Sequence, residues 1–324
     1  PCHAADYQQA QRMDALDLGN GVRPVPNPPR PDVSGRRLGS RRTAVLSRSG
    51  RRISQPSRCR WCLASAIAAP VAAEFREQGS TPMIEQTEAI VLSARRYSET
   101  SKIVTLYTRS RGTLGVMAKG AMRPKSPLAG ILDPLGYLGV SLAIKEGRDL
   151  QLVTAAETVE RFALLRRDFD RLSAGLEVVE IVRAVITEPE PNHVLFEAIL
   201  RALRALDDAD TEPSVVSLRF HIVLIEVLGY ALRLDGCGVC DDPIEVGSEG
   251  LSFGIADGSP LCEAHADSDG SYQLSASAVE AFELLSSARF SRLSEYQIDP
   301  AAIASLRGLL ARFLQFHVPG IRRL

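Results

Sequence analysis

The hydrophobic pattern of this chain changes its period part-way along, which divides any fold that it can adopt into two unlike parts. From residue 83 to about residue 160, apolar and polar side chains alternate in short segments, as is typical of β-strands. Five such segments suit a small closed barrel, and we predict an oligonucleotide-binding (OB) fold for 83–160. An SH3-like barrel fits the strand count equally well. The predicted strands are residues 88–92, 101–108, 113–119, 136–145 and 150–158.

Beyond Phe162 the apolar residues recur with the period of an α-helix. The segment near 213–228 is apolar on almost every side, so we predict that it lies at the centre of a helical domain spanning 161–324. His221 lies in that segment and is predicted to be a core residue rather than a ligand. The fold class is therefore α+β, with a barrel followed by helices. The predicted helices are residues 170–186, 194–206, 213–228, 276–286 and 300–315.

Four residues of metal-binding type lie in two closely spaced pairs. Two residues separate Cys237 from Cys240 and Cys262 from His265, and 21 residues separate the pairs. This spacing allows a tight turn to direct two ligands at one ion, and thiolates with an imidazole suit tetrahedral zinc. We predict a zinc finger inserted at 236–266, structural rather than catalytic because four protein ligands leave no open position. A disulfide, or a finger that has lost its metal, are the alternatives.

The first 82 residues differ in composition from the rest. They contain 13 Arg, no Lys and six acidic residues, are rich in Pro, Ser and Gly, and show no sustained periodicity. Such a segment buries too little apolar surface to offset its chain entropy. Because Met83 opens the first well-patterned segment, we interpret 1–82 as a disordered basic tail or as spurious upstream translation. Cys59 and Cys62 have metal-ligand spacing but no second pair nearby.

Basic residues are concentrated in the predicted barrel. Residues 87–130 contain eight basic and two acidic side chains, whereas 131–324 contain 17 basic and 30 acidic ones. A local cationic surface on an otherwise anionic protein favours binding to a polyanion, although a solvated strand surface gives the same pattern. Tyr97 and Tyr107 could stack on bases, but we prefer to place them in the barrel core or at its rim. The basic residues are Arg95, Arg96, Lys102, Arg109, Arg111, Lys119, Arg123 and Lys125.

The sequence contains few signatures of an enzyme. None of the four lysines follows a glycine, so the phosphate-binding loop of ATPases is absent, as is the glycine triplet of dinucleotide-binding folds. The pattern Gly-x-Ser-x-Gly at 250–254 would make Ser252 the nucleophile of a hydrolase, but that motif must join a strand to a helix, and Gly258 and Pro260 follow it. No apolar run reaches the length of a membrane span. We therefore expect neither an enzyme nor a membrane-spanning protein.

A set of short motifs runs in a fixed order from about residue 83 to residue 320. They are the strand 88–92, Arg96-Tyr97-Ser98-Glu99-Thr100-Ser101, Thr108 with the turn Arg111-Gly112, Ala118-Lys119-Gly120-Ala121, Leu228-Gly229-Tyr230 before Cys237, and Phe253 before Cys262. Together they resemble the bacterial RecO family, whose members mediate DNA repair and recombination. The resemblance does not extend to residues 1–82.

The resemblance implies an N-terminal OB barrel, a helical body and, in many members, a zinc finger. It also implies a cytoplasmic, nucleoid-associated protein that binds single- and double-stranded DNA and anneals complementary strands. Such a protein would cooperate with RecR and the single-strand-binding protein SSB in loading RecA. The family usually has Cys at the fourth zinc position, where this chain has His265. The DNA-contacting face of the family corresponds here to Arg95, Arg96, Lys102, Lys119, Arg123 and Lys125.

Two functions of other classes stay open at this point. One is a zinc-containing hydrolase that uses Ser252. The other is a protein-interaction scaffold in which an OB-like barrel binds a peptide instead of DNA. A loss of affinity for DNA when Lys119 and Arg123 are reversed in charge would exclude the scaffold.

Overall fold

The computed structural model of this chain describes residues 82–186, 189–266, 270–318 and residue 321. Apart from Pro82, the predictions made for residues 1–82, including the pair Cys59 and Cys62, lie outside the described residues. No described helix is both long enough and apolar enough to cross a membrane.

Five strands form the first part of the described chain. They are β1 (Met83–Arg96), β2 (Lys102–Thr108), β3 (Gly112–Ala118), β4 (Tyr137–Ile144) and β5 (Gln151–Glu160). The strands close into a barrel in the order β1-β2-β3-β5-β4. Neighbours are antiparallel except for β3 and β5, which pair in parallel through Val116 and Met117. The five predicted strands are confirmed.

Strand β1 is much longer than its predicted extent of 88–92. Its first half pairs with β4 and its second half with β2, with a shift of register between Val91 and Ser93. Because one strand serves two neighbours, ladder hydrogen bonds hold its polar ends, around Glu85 and Arg96, in extended conformation. The hydrophobic pattern predicts only the middle of β1, because only there are the side chains buried.

The barrel wall separates two hydrophobic cores. Inward-facing side chains such as Val104, Leu106 and Val116 fill the barrel. Outward-facing Ile90 and Tyr107 instead belong to the core that the helices form. Because successive side chains of a strand point to opposite faces, one set fills the barrel and the other set packs against the helices.

Five described α-helices make up most of the remainder. They are α1 (Phe169–Val185), α2 (His193–Leu206), α3 (Pro213–Val227), α4 (Ala276–Ser287) and α5 (Pro300–His317), with a short 3₁₀ helix at Phe290–Glu295. Helix α3 is buried at every position from Val215 to Ile225, which confirms its predicted central place. The five predicted helices are confirmed within a few residues at their ends.

His221 on α3 is a core residue, as predicted. Its Nε2 lies 3.5 Å from Oε1 of Glu177 on α1. Burial outweighs this carboxylate and lowers the pKa of His221 to about 4, so the imidazole is neutral near pH 7. It packs between helices and is only 3% exposed.

A small antiparallel sheet lies between α3 and α4, and the sequence patterns did not predict it. Its strands are β6 (Leu251–Gly254), β7 (Ser259–Leu261) and β8 (Ser271–Leu274), in the order β7-β6-β8. Strands of three or four residues are too short to show a period. This sheet supports one of the two candidate metal-ligand pairs.

Candidate nucleic-acid interface and metal centre

Five exposed basic residues lie at one end of the barrel: Arg95, Arg96, Lys119, Arg123 and Lys125. We call this set the basic end. Strand register explains the grouping, because Arg96 at the end of β1 pairs with Lys102 at the start of β2, which pairs with Ala118 at the end of β3. Lys119 and the connection 119–136 follow directly. Three strand termini therefore bring residues that are far apart in sequence to one edge.

Backbone hydrogen bonds fix the two connections that carry the basic end. The N–H of Met122 donates to the carbonyl of Thr100 at 3.0 Å, which joins the β1–β2 connection to the β3–β4 connection. The N–H of Arg123 donates to the carbonyl of Gly120 in a turn where Gly120 has φ of +72°, a value that favours glycine. In the described part of the chain, none of the five basic-end residues has an acidic partner within ion-pair distance.

Lys102 lies at the same end but is partly neutralised. Its Nζ is 2.8 Å from Oδ1 of Asp133, and its side chain is only 18% exposed. The family resemblance implies a phosphate contact for this residue, whereas the structure gives it an intramolecular one. Lys102 can therefore add to the potential of the basic end but offers less of its charge to a ligand.

Arg109 and Arg111 lie in the turn between β2 and β3, at the opposite end of the barrel. Six strand steps along β2 separate the two ends by about 20 Å. Arg109 pairs with Glu88 (Nε to Oε2, 2.6 Å) and with Glu197 of α2 (Nη1 to Oε1, 2.8 Å). Its guanidinium also lies 4.4 Å from the ring centre of Phe196. The sequence grouped these arginines with the basic end, but the structure does not bring them together.

Arg111 is likewise held by an acidic residue. Its Nε lies 2.6 Å from Oε2 of Glu85, whose other oxygen accepts a hydrogen bond from Oγ of Ser110 at 2.6 Å. The Ser110 hydroxyl, followed by the Arg111 guanidinium, lowers the pKa of Glu85. Arg109 and Arg111, with their acidic partners, form what we call the paired end.

The two candidate stacking tyrosines have different surroundings. Tyr107 is fully buried, its ring centre is 6.3 Å from that of Phe196, and its hydroxyl donates to the carbonyl of Asn192. Burial raises the pKa of Tyr107 to about 12. Tyr97 lies at the rim, in the β1–β2 connection, and is 61% exposed. The prediction of a core or rim position is therefore confirmed for Tyr97, which lies at the barrel rim and is accessible to a ligand. It is wrong for Tyr107, which points out of the barrel into the core that the helices form.

The four predicted metal ligands meet at one point. The ligand atoms of Cys237, Cys240, Cys262 and His265 all lie within 4.8 Å of one another. Sγ of Cys240 is 3.8 Å from Sγ of Cys262, which excludes a disulfide, and Sγ of Cys237 is 3.6 Å from Nδ1 of His265. A tetrahedral zinc would set separations of about 3.8 Å between sulfurs and about 3.6 Å between sulfur and nitrogen, which these two match. Sγ of Cys262 lies closer to Nδ1 of His265, at 3.1 Å. The arrangement can hold a metal ion.

The local backbone explains why the ligands converge. The N–H of Gly238 donates to the carbonyl of Pro260 on β7, so the first pair of ligands lies directly against the strand that leads to the second. A Cβ at position 238 would lie 2.2 Å from Oγ of Ser259 and 3.0 Å from Cβ of Asp257, so any residue larger than glycine would force these side chains to move. The N–H of Cys262 donates a hydrogen bond to Sγ of Cys237 at 3.5 Å. Mainly because of this hydrogen bond, the pKa of Cys237 is lowered to about 6. A thiolate, the form in which cysteine binds a metal, is therefore favoured at Cys237.

Both halves of the described chain match one family. The family description "Recombination protein O N terminal" matches residues 83–162, and "Recombination protein O C terminal" matches residues 166–323. The chain belongs to the RecO family. Among its relatives is a DNA repair protein RecO of Salinibacter ruber, 34% identical over 72% of this chain and 88% of the relative. Another, from Moorella thermoacetica, is 29% identical over 73% of this chain and 87% of the relative.

Membership of the RecO family agrees with the geometry around Ser252, which does not favour a hydrolase. Ser252 lies within β6, where it pairs with Leu261 of β7 and Gln273 of β8. A nucleophile elbow must join a strand to a helix, whereas β6 leads through a short turn into β7. The motif is thus a strand segment of the small sheet.

Proposed function

We propose that this RecO family protein is a non-enzymatic mediator of recombinational DNA repair. It binds single- and double-stranded DNA through the basic end and anneals complementary strands. The observation that carries the proposal is the basic end itself, in which five exposed cations lie at or just beyond strand termini of one end of the barrel, without described acidic partners. The relatives of this chain are named DNA repair proteins. The residues proposed to contact DNA are Arg95, Arg96, Lys119, Arg123 and Lys125, with Lys102 as a weaker contributor.

We propose further that the barrel is an OB fold. The strand order β1-β2-β3-β5-β4, with β3 and β5 parallel, supports this assignment. OB folds commonly bind oligonucleotides along the strand face and the connecting loops. The basic end adjoins the β1–β2 connection, which is one of the loops that such folds use.

The mechanism that we propose is electrostatic. Cationic side chains neutralise phosphates and release condensed counterions, which gives an affinity that depends on salt and hardly on sequence. Two strands held on one cationic surface repel each other less, so complementary segments pair faster. No nucleotide hydrolysis is needed for this step, which fits a chain without a phosphate-binding loop.

We propose that Cys237, Cys240, Cys262 and His265, which we call the metal group, bind a zinc ion in a structural role. Three sulfurs and one imidazole nitrogen are the donor set that zinc prefers, and their separations suit a tetrahedral ion. When bound, the ion would tie the segment around Cys237 to β7 and stabilise the small sheet. Zinc analysis of the purified protein should give about one equivalent per chain, and Cys262→Ala should abolish it while Ser252→Ala retains it.

The family resemblance also supports the proposed partners. RecR, SSB and, through them, RecA are the proteins with which we expect this chain to act, in the cytoplasm and at the nucleoid. The barrel and helical body are proposed as an OB-fold DNA-binding domain at 83–160 and a helical domain at 161–324 with the finger at 236–266.

The test of the proposed function is a fluorescence anisotropy titration of a labelled single-stranded oligonucleotide with the whole protein at two salt concentrations. We expect binding at low salt that weakens steeply at higher salt, and faster annealing of complementary strands in the absence of ATP. Non-complementary strands are the control for annealing. A protein that leaves the oligonucleotide free in dilute buffer would exclude the proposal and favour the scaffold alternative.

A further inference from the structure

One accessible aromatic side chain lies within the basic end. We propose that Tyr97 is a base-stacking residue that gives this surface a preference for single strands over duplexes. The inference rests on the proposed DNA binding and goes beyond it, because charge alone attracts either form of DNA. Tyr97 would then be the side chain that distinguishes single-stranded from double-stranded DNA.

The connection that carries Tyr97 is fixed by its own hydrogen bonds. The N–H of Tyr97 donates to the carbonyl of Ser101 at 2.9 Å, and Oγ of Ser98 accepts from the N–H groups of Thr100 and Ser101. Met122 ties the same connection to the β3–β4 connection through Thr100. The ring is therefore presented by a pre-organised turn, so little conformational entropy has to be lost when a base stacks on it.

The charges around Tyr97 favour a polyanion. Arg96 precedes it and donates from Nε to the carbonyl of Ser98 at 3.2 Å, which holds the guanidinium beside the turn. Arg95 lies one residue earlier, and Arg123 follows the Met122 contact. The exposed acid of this turn is Glu99, which the surrounding cations outnumber. A strand whose phosphates contact these arginines would place its bases near the exposed ring.

Stacking distinguishes single strands from duplexes for a simple reason. In a duplex the base faces are already covered by their neighbours, whereas a single strand can splay a base onto an aromatic ring. Each base–aromatic contact of this kind is lost when the ring is truncated to alanine, with a fall in affinity of about 5- to 100-fold. Phosphate contacts are unaffected by that truncation.

Phe169 at the start of α1 provides a contrast within the same chain. It is 81% exposed, more than Tyr97, but it lies outside the basic end and has both basic (Arg166, Arg167) and acidic (Asp168, Asp170) exposed neighbours in sequence. Its ring therefore tests whether exposure of an aromatic side chain is by itself sufficient for stacking. Phe169→Ala is therefore the matched control for Tyr97→Ala.

The experiment measures binding of the whole protein to three probes of equal length: oligo-dT, the same backbone with abasic sites, and a duplex. For Tyr97→Ala we expect a loss of about 5- to 100-fold on oligo-dT with an unchanged slope of log affinity against log salt. Affinities for the abasic strand and the duplex should equal those of the wild type. Tyr97→Phe should keep the affinity for oligo-dT, as should Phe169→Ala.

Two results would overturn the inference. One is a Tyr97→Ala variant that binds oligo-dT as the wild type does. The other is a variant that weakens on all three probes alike, which would mean that the ring shapes the turn and does not contact bases. Failure of the proposed function looks different, because the wild-type protein would then bind none of the probes at low salt. Thermal unfolding of each variant verifies that it is folded.

Discussion

The two ends of the barrel carry the same type of charge in opposite situations. At the basic end, five cations are exposed and have no acidic partner among the residues that the structure describes. At the paired end, Arg109 and Arg111 are held by Glu85, Glu88 and Glu197, and Arg109 also connects the barrel to α2. A cluster of basic residues in a sequence therefore indicates binding only for those members that the fold leaves unpaired.

The largest effect should come from charge reversal at the basic end. In the double variant Lys119→Glu/Arg123→Glu, two phosphate contacts are replaced by repulsion. We expect the affinity for single-stranded DNA at low salt to fall by about 100-fold, and the slope of log affinity against log salt to decrease by about 1.4. Anisotropy titrations at several salt concentrations measure both.

The control for this variant is Arg183→Glu/Arg292→Glu, which reverses two exposed arginines that pair with glutamates three residues away on the helical body. It should bind DNA as the wild type does. The comparison of the two ends fails if Arg109→Ala/Arg111→Ala lowers the affinity as much as the basic-end variant.

A smaller effect is expected at the paired end, and on stability instead of binding. Arg109→Ala removes two ion pairs and the contact with Phe196, so the free energy of unfolding should fall by about 1–2 kcal/mol. Urea unfolding followed by circular dichroism measures the change. Arg109→Lys should recover part of it, and the affinity of either folded variant for DNA should stay unchanged.

Lys102 lies at the basic end but pairs with Asp133, and a substitution of Asp133 can remove that partner. In Asp133→Asn the ammonium loses its acidic partner, so it becomes free to contact a phosphate. We expect a gain in affinity of a few-fold and a slope that is steeper by about 0.7. Glu85→Gln, which frees Arg111 at the paired end, is the matched control and should give no gain.

The smallest effect is a pH dependence confined to the paired end. Folding lowers the pKa of Glu85, so its contribution to stability is complete above its unfolded value and is lost as the pH falls through the lowered one. We expect a few tenths of a kcal/mol to disappear below about pH 4.5. Comparison of urea unfolding at pH 6 and pH 3.5 between wild type and Ser110→Ala, which lacks the principal hydrogen bond, isolates this contribution.

Much of the fold follows from the sequence because burial imposes a period on each element. The β-branched, alternating residues 101–108 favour a strand and the almost wholly apolar segment 213–228 favours a central helix, and both form. The strands β6 to β8 were not predicted because three or four residues are too few to show a period. The ends of β1 were not predicted because their residues are polar and are held in the strand by pairing with β2 and β4.

The metal group was predictable because its chemistry is local. Two residues between ligands fix a turn, and three thiolates with an imidazole in two such turns have few other uses. The structure added that the first pair lies against β7, which leads to the second, and that Gly238 is crowded by the side chains of Ser259 and Asp257.

The amino-acid sequence by itself determined the five barrel strands and the five helices, which residues could bind a metal, and that the barrel region is basic. Only the tertiary structure decided which of its cations are available to a ligand. Ion pairing depends on distances of a few ångströms between residues such as Arg109 and Glu197, which lie 88 positions apart in the chain, and a linear pattern contains no such distances.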